Sequence, residues 1–225
     1  MKGIFMVKIF DLYDLSHSLA KDYLSDYTYP WEALAGIKEM VIALGNTLDG
    51  ELYDKVGENV WISKSAKIYP NNCIEGPCII GHNTEVRPGA FIRGSVLVGE
   101  NCVVGNSTEL KNCILFDNVQ VPHYNYVGDS ILGYKSHMGA GSITSNVKSD
   151  KTLVVIKSGD GEKIETGRKK VGAMLGDFVE VGCGSVLNPG TVVGRESSVY
   201  PLSSVRGVVP EGSIFKSSGN IVKRI

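Results

Sequence analysis

"IGHNTEVRPGAFIRGSVLVGENCVVGNSTEL", Ile80 to Leu110, decides the fold. An apolar residue returns at every sixth position: Ile80, Val86, Ile92, Val98, Val104 and Leu110. Neither the 3.6-residue period of a helix nor the two-residue alternation of a strand produces that spacing. Four places after each slot comes a small or modest residue, as at Thr84, Ala90, Val96, Cys102 and Thr108. Each hexad therefore reads as one short strand with its β-branched residue pointing inward and a corner taken by Gly, Asn or Pro. Three hexads close a triangular coil of 18 residues, and such coils stack by parallel strand pairing about 4.8 Å apart. The count extends upstream through Val56, Ile62, Ile68 and Ile74 and downstream to Phe116. A second run holds Leu175, Val181, Leu187, Val193, Val199 and Val205. The expected architecture is a mainly β solenoid of hexapeptide repeats over residues 51–210.

The flanks read differently. Residues 1–50 are expected to form a helical N-terminal cap, with two helices between residues 11 and 48. Ser16 is placed to cap the first, Pro30 suits the first turn of the second, and Gly45 stops it. Leu34, Ile37, Val41 and Leu44 give the second helix an apolar stripe. The expected role is to cover the open strand edges of the first coil; the alternative is a docking surface for a partner. Between residues 147 and 171 the hexads vanish, and "KTLVVIKSGDGEKIETGRKK" reads as a hairpin arm projecting from the stack. Lys148, Lys151, Lys157, Arg168, Lys169 and Lys170 make it the most basic segment, able to offer cations to phosphate groups. Residues 211–225 are left as a C-terminal tail.

With 225 residues, 43% of them apolar, and a net charge of −1, the composition suits a folded domain and speaks against a nucleic-acid footprint or a polybasic membrane contact. No apolar run has the length of a membrane-spanning helix. The opening "MKGIFMVKIF" has an apolar run interrupted by Lys8 and no small-residue cleavage site, so no signal peptide is expected. The five cysteines form no CxxC pair, and their odd number argues against a full disulfide framework. These features together predict a soluble, cytoplasmic protein.

The repeat falters around "VPHYNYVGD", Val121 to Asp129. The slots there run Leu110, Leu115, Val121, Val127, Leu132 and Met138, so two steps of five replace steps of six. A slip of this kind re-aims side chains, as bulges do beside active sites. Arg87, Lys111, His123, Tyr126 and Asn146 stand nearby in sequence. Arg87 precedes His123 by 36 residues, two coils of 18, which predicts a shared face. Lys111 precedes it by 12 and belongs to another face, so the two are expected to converge across a subunit interface.

The runs "VRPGA", "ELKN", "HYNYVGD", "GAGSITSN" and "VGCGSVLNPGTVVG" resemble the acetyltransferase domain of the bifunctional UDP-N-acetylglucosamine pyrophosphorylase / glucosamine-1-phosphate N-acetyltransferase family over about residues 55–205. The run "ETGRKKVGAMLGD" looks closer to archaeal-type sugar-1-phosphate transferases. The resemblance implies a left-handed parallel β-helix, a homotrimer, and transfer of acetyl from acetyl-CoA to the amine of glucosamine 1-phosphate or galactosamine 1-phosphate. It implies His123 as general base, Arg87 and Lys111 as phosphate ligands, and Tyr126 and Asn146 as sugar ligands. Contacts to acetyl-CoA would come from Ala140, Cys183 and Lys216. An imidazole suits the deprotonation of an amino sugar, whose ammonium form cannot attack a thioester. Departures exist: the family commonly has Asn where this chain has His137, and the residues around Cys183 and Pro201 differ from the bacterial pattern. A GxGTR-type phosphate loop is absent from the sequence, so nucleotidyl transfer is not expected of it.

Two other classes compete. The fold also resembles zinc-binding γ-type carbonic anhydrases, but His82, His123 and His137 are 41 and 14 residues apart and include no short pair, so no metal is expected. A trimeric sugar-nucleotide-binding or regulatory module, partnering a separate nucleotidyltransferase without catalysis, is the non-enzymatic alternative.

Overall fold

The computed structural model describes residues 7–157 and 161–224. The apolar opening considered above as a signal peptide lies largely outside them. Short parallel strands wind round a prism with three faces. The first face carries Cys78–Ile80, Val96–Val98, Ala173–Leu175 and Thr191–Val193. The second carries Glu85–Val86, Val103–Asn106, Gln120–His123, His137–Met138, Glu180–Val181 and Ser198–Val199. Cys73–Glu75, Phe91–Arg93, Ile143–Thr144, Val186–Leu187 and Ser204–Val205 belong to the third. The fold is a left-handed parallel β-helix.

The inward slots behave as the hexads predict from Ile80 onward. Ile80, Val86, Ile92, Val98, Val104 and Leu110 are fully buried, and so are Leu175, Leu187, Val193 and Val205. Corners are turned in the left-handed backbone region, by Asn83, Asn101 and Asn118 between the first and second faces. Asn accepts that conformation more readily than other side chains with a Cβ. Gly105, directly after the slot Val104, shows why a glycine recurs there. A Cβ on it would lie 1.6 Å from the carbonyl oxygen of Pro122 in the next coil. Cys78 and Cys102 fill interior positions, and burial pushes both thiols up to about 12, so they act as packing groups.

The upstream end of the count needs correction. Val56 is 60% exposed on the strand Tyr53–Gly57, which pairs antiparallel with Val60–Ser63. That hairpin closes one end of the first-face sheet. At the other end, Ser213–Ser217 and Asn220–Lys223 form a second antiparallel hairpin where a tail was expected. The open edges thus end in hairpins, and the N-terminal segment does something else.

Two helices expected before residue 48 are replaced by short pieces: Ile9–Leu12, a 3-10 turn Leu15–His17, Lys21–Ser25, Pro30–Ala33 and Ile37–Gly45. Ser16 is not the cap; Asp14 is, its carboxylate accepting from the Ser16 amide at 3.0 Å. Pro30 occupies the first turn of its helix, and Gly45 ends the last one, packed so closely on Trp61 that a Cβ would meet the indole at 2.3 Å. These pieces lie along the first face of the prism, not across the strand edges of the first coil. The reason is that first-face strands are apolar on their outer side as well. Ile79, Leu97, Ile114, Ile131 and Met174 point outward there and are still buried to 1% or less. Burying each is worth about 1.5–3 kcal/mol. The Tyr13 ring lies tilted against Phe116, centroids 5.1 Å apart, and its hydroxyl donates to the Ile131 carbonyl at 3.3 Å, fixing the segment in place.

The inserted segment forms an antiparallel hairpin, Val155–Lys157 with Lys163–Glu165. It folds back instead of projecting: Val154 and Ile156 are fully buried, close over Gly190. Residues 158–160 at its tip lie outside the described residues.

Candidate functional site

The two five-residue steps have a structural cause. Glu109–Leu115 and Tyr126–Leu132 are continuous seven-residue strands that run from the third face onto the first without a separate corner. Asn112 and Asp129 turn that edge with φ of 48° each. The coil is shortened by one residue there, so His123 stands in register with Asn106, 17 residues earlier. Arg87 therefore misses the His123 edge by one position, because the pairing Val86 to Val104 to Val121 puts it in line with Pro122. Its guanidinium is ion-paired to Glu85 at 3.3 Å. Arg87 and His123 do share the second face, as the 36-residue spacing predicts, but the shortened coil sets them one position out of register.

His123 sits at the edge between the second and third faces, exposed, and its imidazole makes no hydrogen bond among the described residues. Its backbone is held firmly. The amide donates to Asn125 Oδ1 at 3.1 Å, and the carbonyl accepts from Gly141 at 3.0 Å. Asn125, only 2% exposed, donates in turn to the carbonyls of Gly139 and Ser142. One buried amide thus ties the histidine turn to "GAG". Going up the same edge, Gly184 donates to the Ala140 carbonyl at 2.8 Å and Leu202 to that of Cys183 at 2.9 Å. His123, Ala140 and Cys183 consequently line one exposed edge. Gly141 has φ of 70° and open space where a Cβ would be. Lys216 lies at the far end of the second face, 5.8 Å from the Tyr200 ring.

Lys111, Tyr126 and Asn146 come together on the third face and its far edge. Lys111 pairs in register with Gly128, and the Tyr126 ring lies over that glycine. A Cβ on Gly128 would meet Tyr126 Oη at 2.4 Å. Asn146 donates to Tyr126 Oη at 3.3 Å and to Asp129 Oδ2 at 2.5 Å, while Asn112 donates to Asp129 Oδ1 at 2.8 Å. Burial first, then the Asp129 and Glu109 carboxylates, raise the Tyr126 phenol above its ordinary value of 10. It stays a hydrogen-bond donor at neutral pH.

Sequence reasoning missed Arg93, Asn125 and Asp129. Phe91–Arg93 pairs with the start of Glu109–Leu115, so Arg93 continues the register into Lys111, and its guanidinium holds Glu109 at 2.7 Å. The signal was available, since Arg93 is one 18-residue coil before Lys111. The other three histidines are spoken for: His17 stacks on Tyr134 at 3.6 Å, His82 bonds Ser63 at 2.6 Å and His137 bonds Glu180 at 2.8 Å. The arm and the upper third face enclose a recess of about 1020 Å³ lined in part by Lys148, Lys157, Lys163 and Arg206.

Fold and site define a hexapeptide-repeat β-helix with a polar third face and a glycine-rich edge that presents a free imidazole. The chain belongs to the GMPPB C-terminal domain family, whose model matches residues 74–211. It is 32% identical over 207 residues to a bifunctional protein GlmU of Methanococcus maripaludis, covering 91% of this chain and 50% of that one. It is 30% identical over 222 residues to a bifunctional sugar-1-phosphate nucleotidylyltransferase/acetyltransferase of Sulfurisphaera tokodaii, covering 92% and 54%. The chain thus spans about half the length of the curated relatives it matches. Among solved structures, the acetyltransferase domain of PglB from Neisseria gonorrhoeae, in complex with acetyl coenzyme A, matches with 14% identity and a TM-score of 0.33 over 73% of this chain and 57% of that one. No helix among the described residues is long and apolar enough to cross a membrane.

Proposed function

We propose that the chain transfers an acetyl group from acetyl-CoA to the amine of an amino-sugar 1-phosphate. The observation that carries this reading is the free imidazole of His123, fixed at an exposed glycine-rich edge beside a face that offers Tyr126, Asn146 and Lys111. The acetyltransferase activity named for the Sulfurisphaera tokodaii relative supports the same reaction class.

The steps balance without a covalent enzyme intermediate. His123 Nε2 or Nδ1 takes a proton from the sugar amine, whose nitrogen attacks the thioester carbonyl. The tetrahedral oxyanion needs a donor. Gly139 and Gly141 already spend their amides on Val181 and His123 carbonyls, which leaves the Ala140 N–H for that role. Collapse breaks the C–S bond, and the proton held by His123 passes to the leaving thiolate. Lys111 and Arg93 supply positive charge for the sugar phosphate, with Arg93 taking the place that the family resemblance implied for Arg87. The exposed edge of Ala140 and Cys183, with Lys216 beyond it, is where the donor's pantetheine arm would run. The resemblance read from the sequence motifs implies a homotrimer in which neighbouring prisms share the site, and dependence on acetyl-CoA favours the cytoplasm.

The test is release of CoA thiol with glucosamine 1-phosphate and galactosamine 1-phosphate, alongside light scattering. Thiol release that depends on one of these sugars is expected, from a trimer. Background release with every amino sugar would favour the non-catalytic module instead. A second expected result concerns Gly128→Ala. The added methyl displaces the Tyr126 ring, an overpacking cost of about 1–3 kcal/mol that raises the amino-sugar KM roughly tenfold or more. The KM for acetyl-CoA should hold.

A further inference from the structure

Among the described residues, Asp129 is the one carboxylate buried beside the sugar subsite, 4% exposed, and it touches no cation. Its two oxygens each accept from a side-chain amide, Asn112 at 2.8 Å and Asn146 at 2.5 Å. A carboxylate facing two amides leaves no choice of orientation, because only the NH2 end of each can donate to it. Asn146 is therefore locked with its nitrogen inward, toward Asp129 and Tyr126 Oη, and its Oδ1 accepts no hydrogen bond among the described residues. Tyr126 Oη, accepting from Asn146, keeps its own proton for something outside. Asn112 is the less free of the two to reverse, for its nitrogen also donates to the Leu34 carbonyl of the N-terminal segment at 3.2 Å, an oxygen that can only accept, whereas the second partner of Asn146, Tyr126 Oη, can turn to donate.

We propose that Asp129 is a positioning residue that sets the hydrogen-bond polarity of the sugar subsite, presenting an acceptor at Asn146 and a donor at Tyr126. The reading rests on the proposed function for what occupies the subsite, and it narrows that ligand. A substrate must bring a donor, a hydroxyl or ammonium, to Asn146 Oδ1 and an acceptor, a hydroxyl or phosphate oxygen, to Tyr126. Through Asn112 and Leu34 the same network makes the N-terminal segment part of the site's support.

Asp129→Asn tests this. The new amide has one acceptor oxygen for two amide donors, and Asn112 is pinned by Leu34, so the reversal falls on Asn146. The amino-sugar KM is expected to rise about 10- to 100-fold, the cost of a polar group left without its partner, while kcat and the KM for acetyl-CoA stay within about threefold of wild type. In an Asn146→Ala background the same substitution should add less than about twofold, because effects through one partner are not additive. Removing the competing donor, in Asn112→Ala/Asp129→Asn, should bring the amino-sugar KM back toward wild type. A rise that adds fully on Asn146→Ala, or no rescue by Asn112→Ala, would show a merely structural role. Proton–nitrogen NMR of the Asn146 side-chain amide reads the geometry without turnover. Its signal should shift in Asp129→Asn and return in the double variant; an unmoved signal overturns the proposal. Inactive wild-type protein would refute the proposed function alone, since the NMR outcome stands apart from it.

Discussion

His123→Ala is expected to lower kcat for acetyl transfer about a hundred- to ten-thousandfold, the range a positioned general base contributes. The amine must lose a proton as it attacks, and nothing else at that edge offers a free basic nitrogen among the described residues. Lys111 stands across the third face, and His137 is bonded to Glu180. The KM values should change little, because the imidazole is exposed and lends no packing to either substrate subsite. Thermal stability should hold as well, since the backbone bonds of residue 123 to Asn125 and Gly141 survive the substitution. Steady-state kinetics of thiol release measure the effect. A variant with wild-type kcat would remove His123 from the mechanism.

Asp177→Ala should give the largest loss of stability, about 3–5 kcal/mol, or a fall of roughly 6–20 °C in Tm. The side chain is fully buried at the edge between the first and second faces. Its carboxylate accepts from the Asp14 amide at 2.7 Å, the Tyr134 amide at 2.8 Å and Arg195 at 2.8 Å. Its own amide donates to the Leu12 carbonyl, and the His17 ring stacks on Tyr134 at 3.6 Å nearby. Alanine would strand three donors where the N-terminal segment is fastened to the prism. Asp177→Asn keeps a carbonyl acceptor and should lose less. The pH dependence has a definite sign. Burial raises the Asp177 carboxyl above its ordinary value, and the amides of Asp14 and Tyr134 and the charge of Arg195 only partly oppose this. The native state therefore holds the proton to higher pH than the unfolded chain does. From this group, stability falls as pH rises from the ordinary carboxylate range up to the raised native value, then levels off. Calorimetry across that window should show the slope in wild type and a weaker one in Asp177→Asn.

The solenoid was legible because its inward slots follow one geometric rule, and from Ile80 to Leu110 that rule holds without help from context. It failed at Val56, where the chain turns back as a hairpin and the six-residue phase has no coil beneath it. The course of the N-terminal segment was harder to see. Its cause is the outward row Ile79, Leu97, Ile114, Ile131 and Met174, apolar neighbours of the slots that a period-six count passes over. At the candidate site, His123, Tyr126 and Asn146 stood out as polar breaks in the repeat. Arg87 drew attention through "VRPGA", yet a single shortened coil moved it off the His123 edge and left Arg93 beside Lys111. Asn125 and Asp129 escaped because each acts by hydrogen bonds to coils 14 to 17 residues away in sequence, which no local pattern encodes.

Product analysis by mass spectrometry puts the central claim to its most direct trial, with wild-type protein, acetyl-CoA and each amino-sugar 1-phosphate. One N-acetylated sugar phosphate should form for every CoA thiol released. Thiol release without an acetylated sugar, or no release with either sugar phosphate, would contradict it.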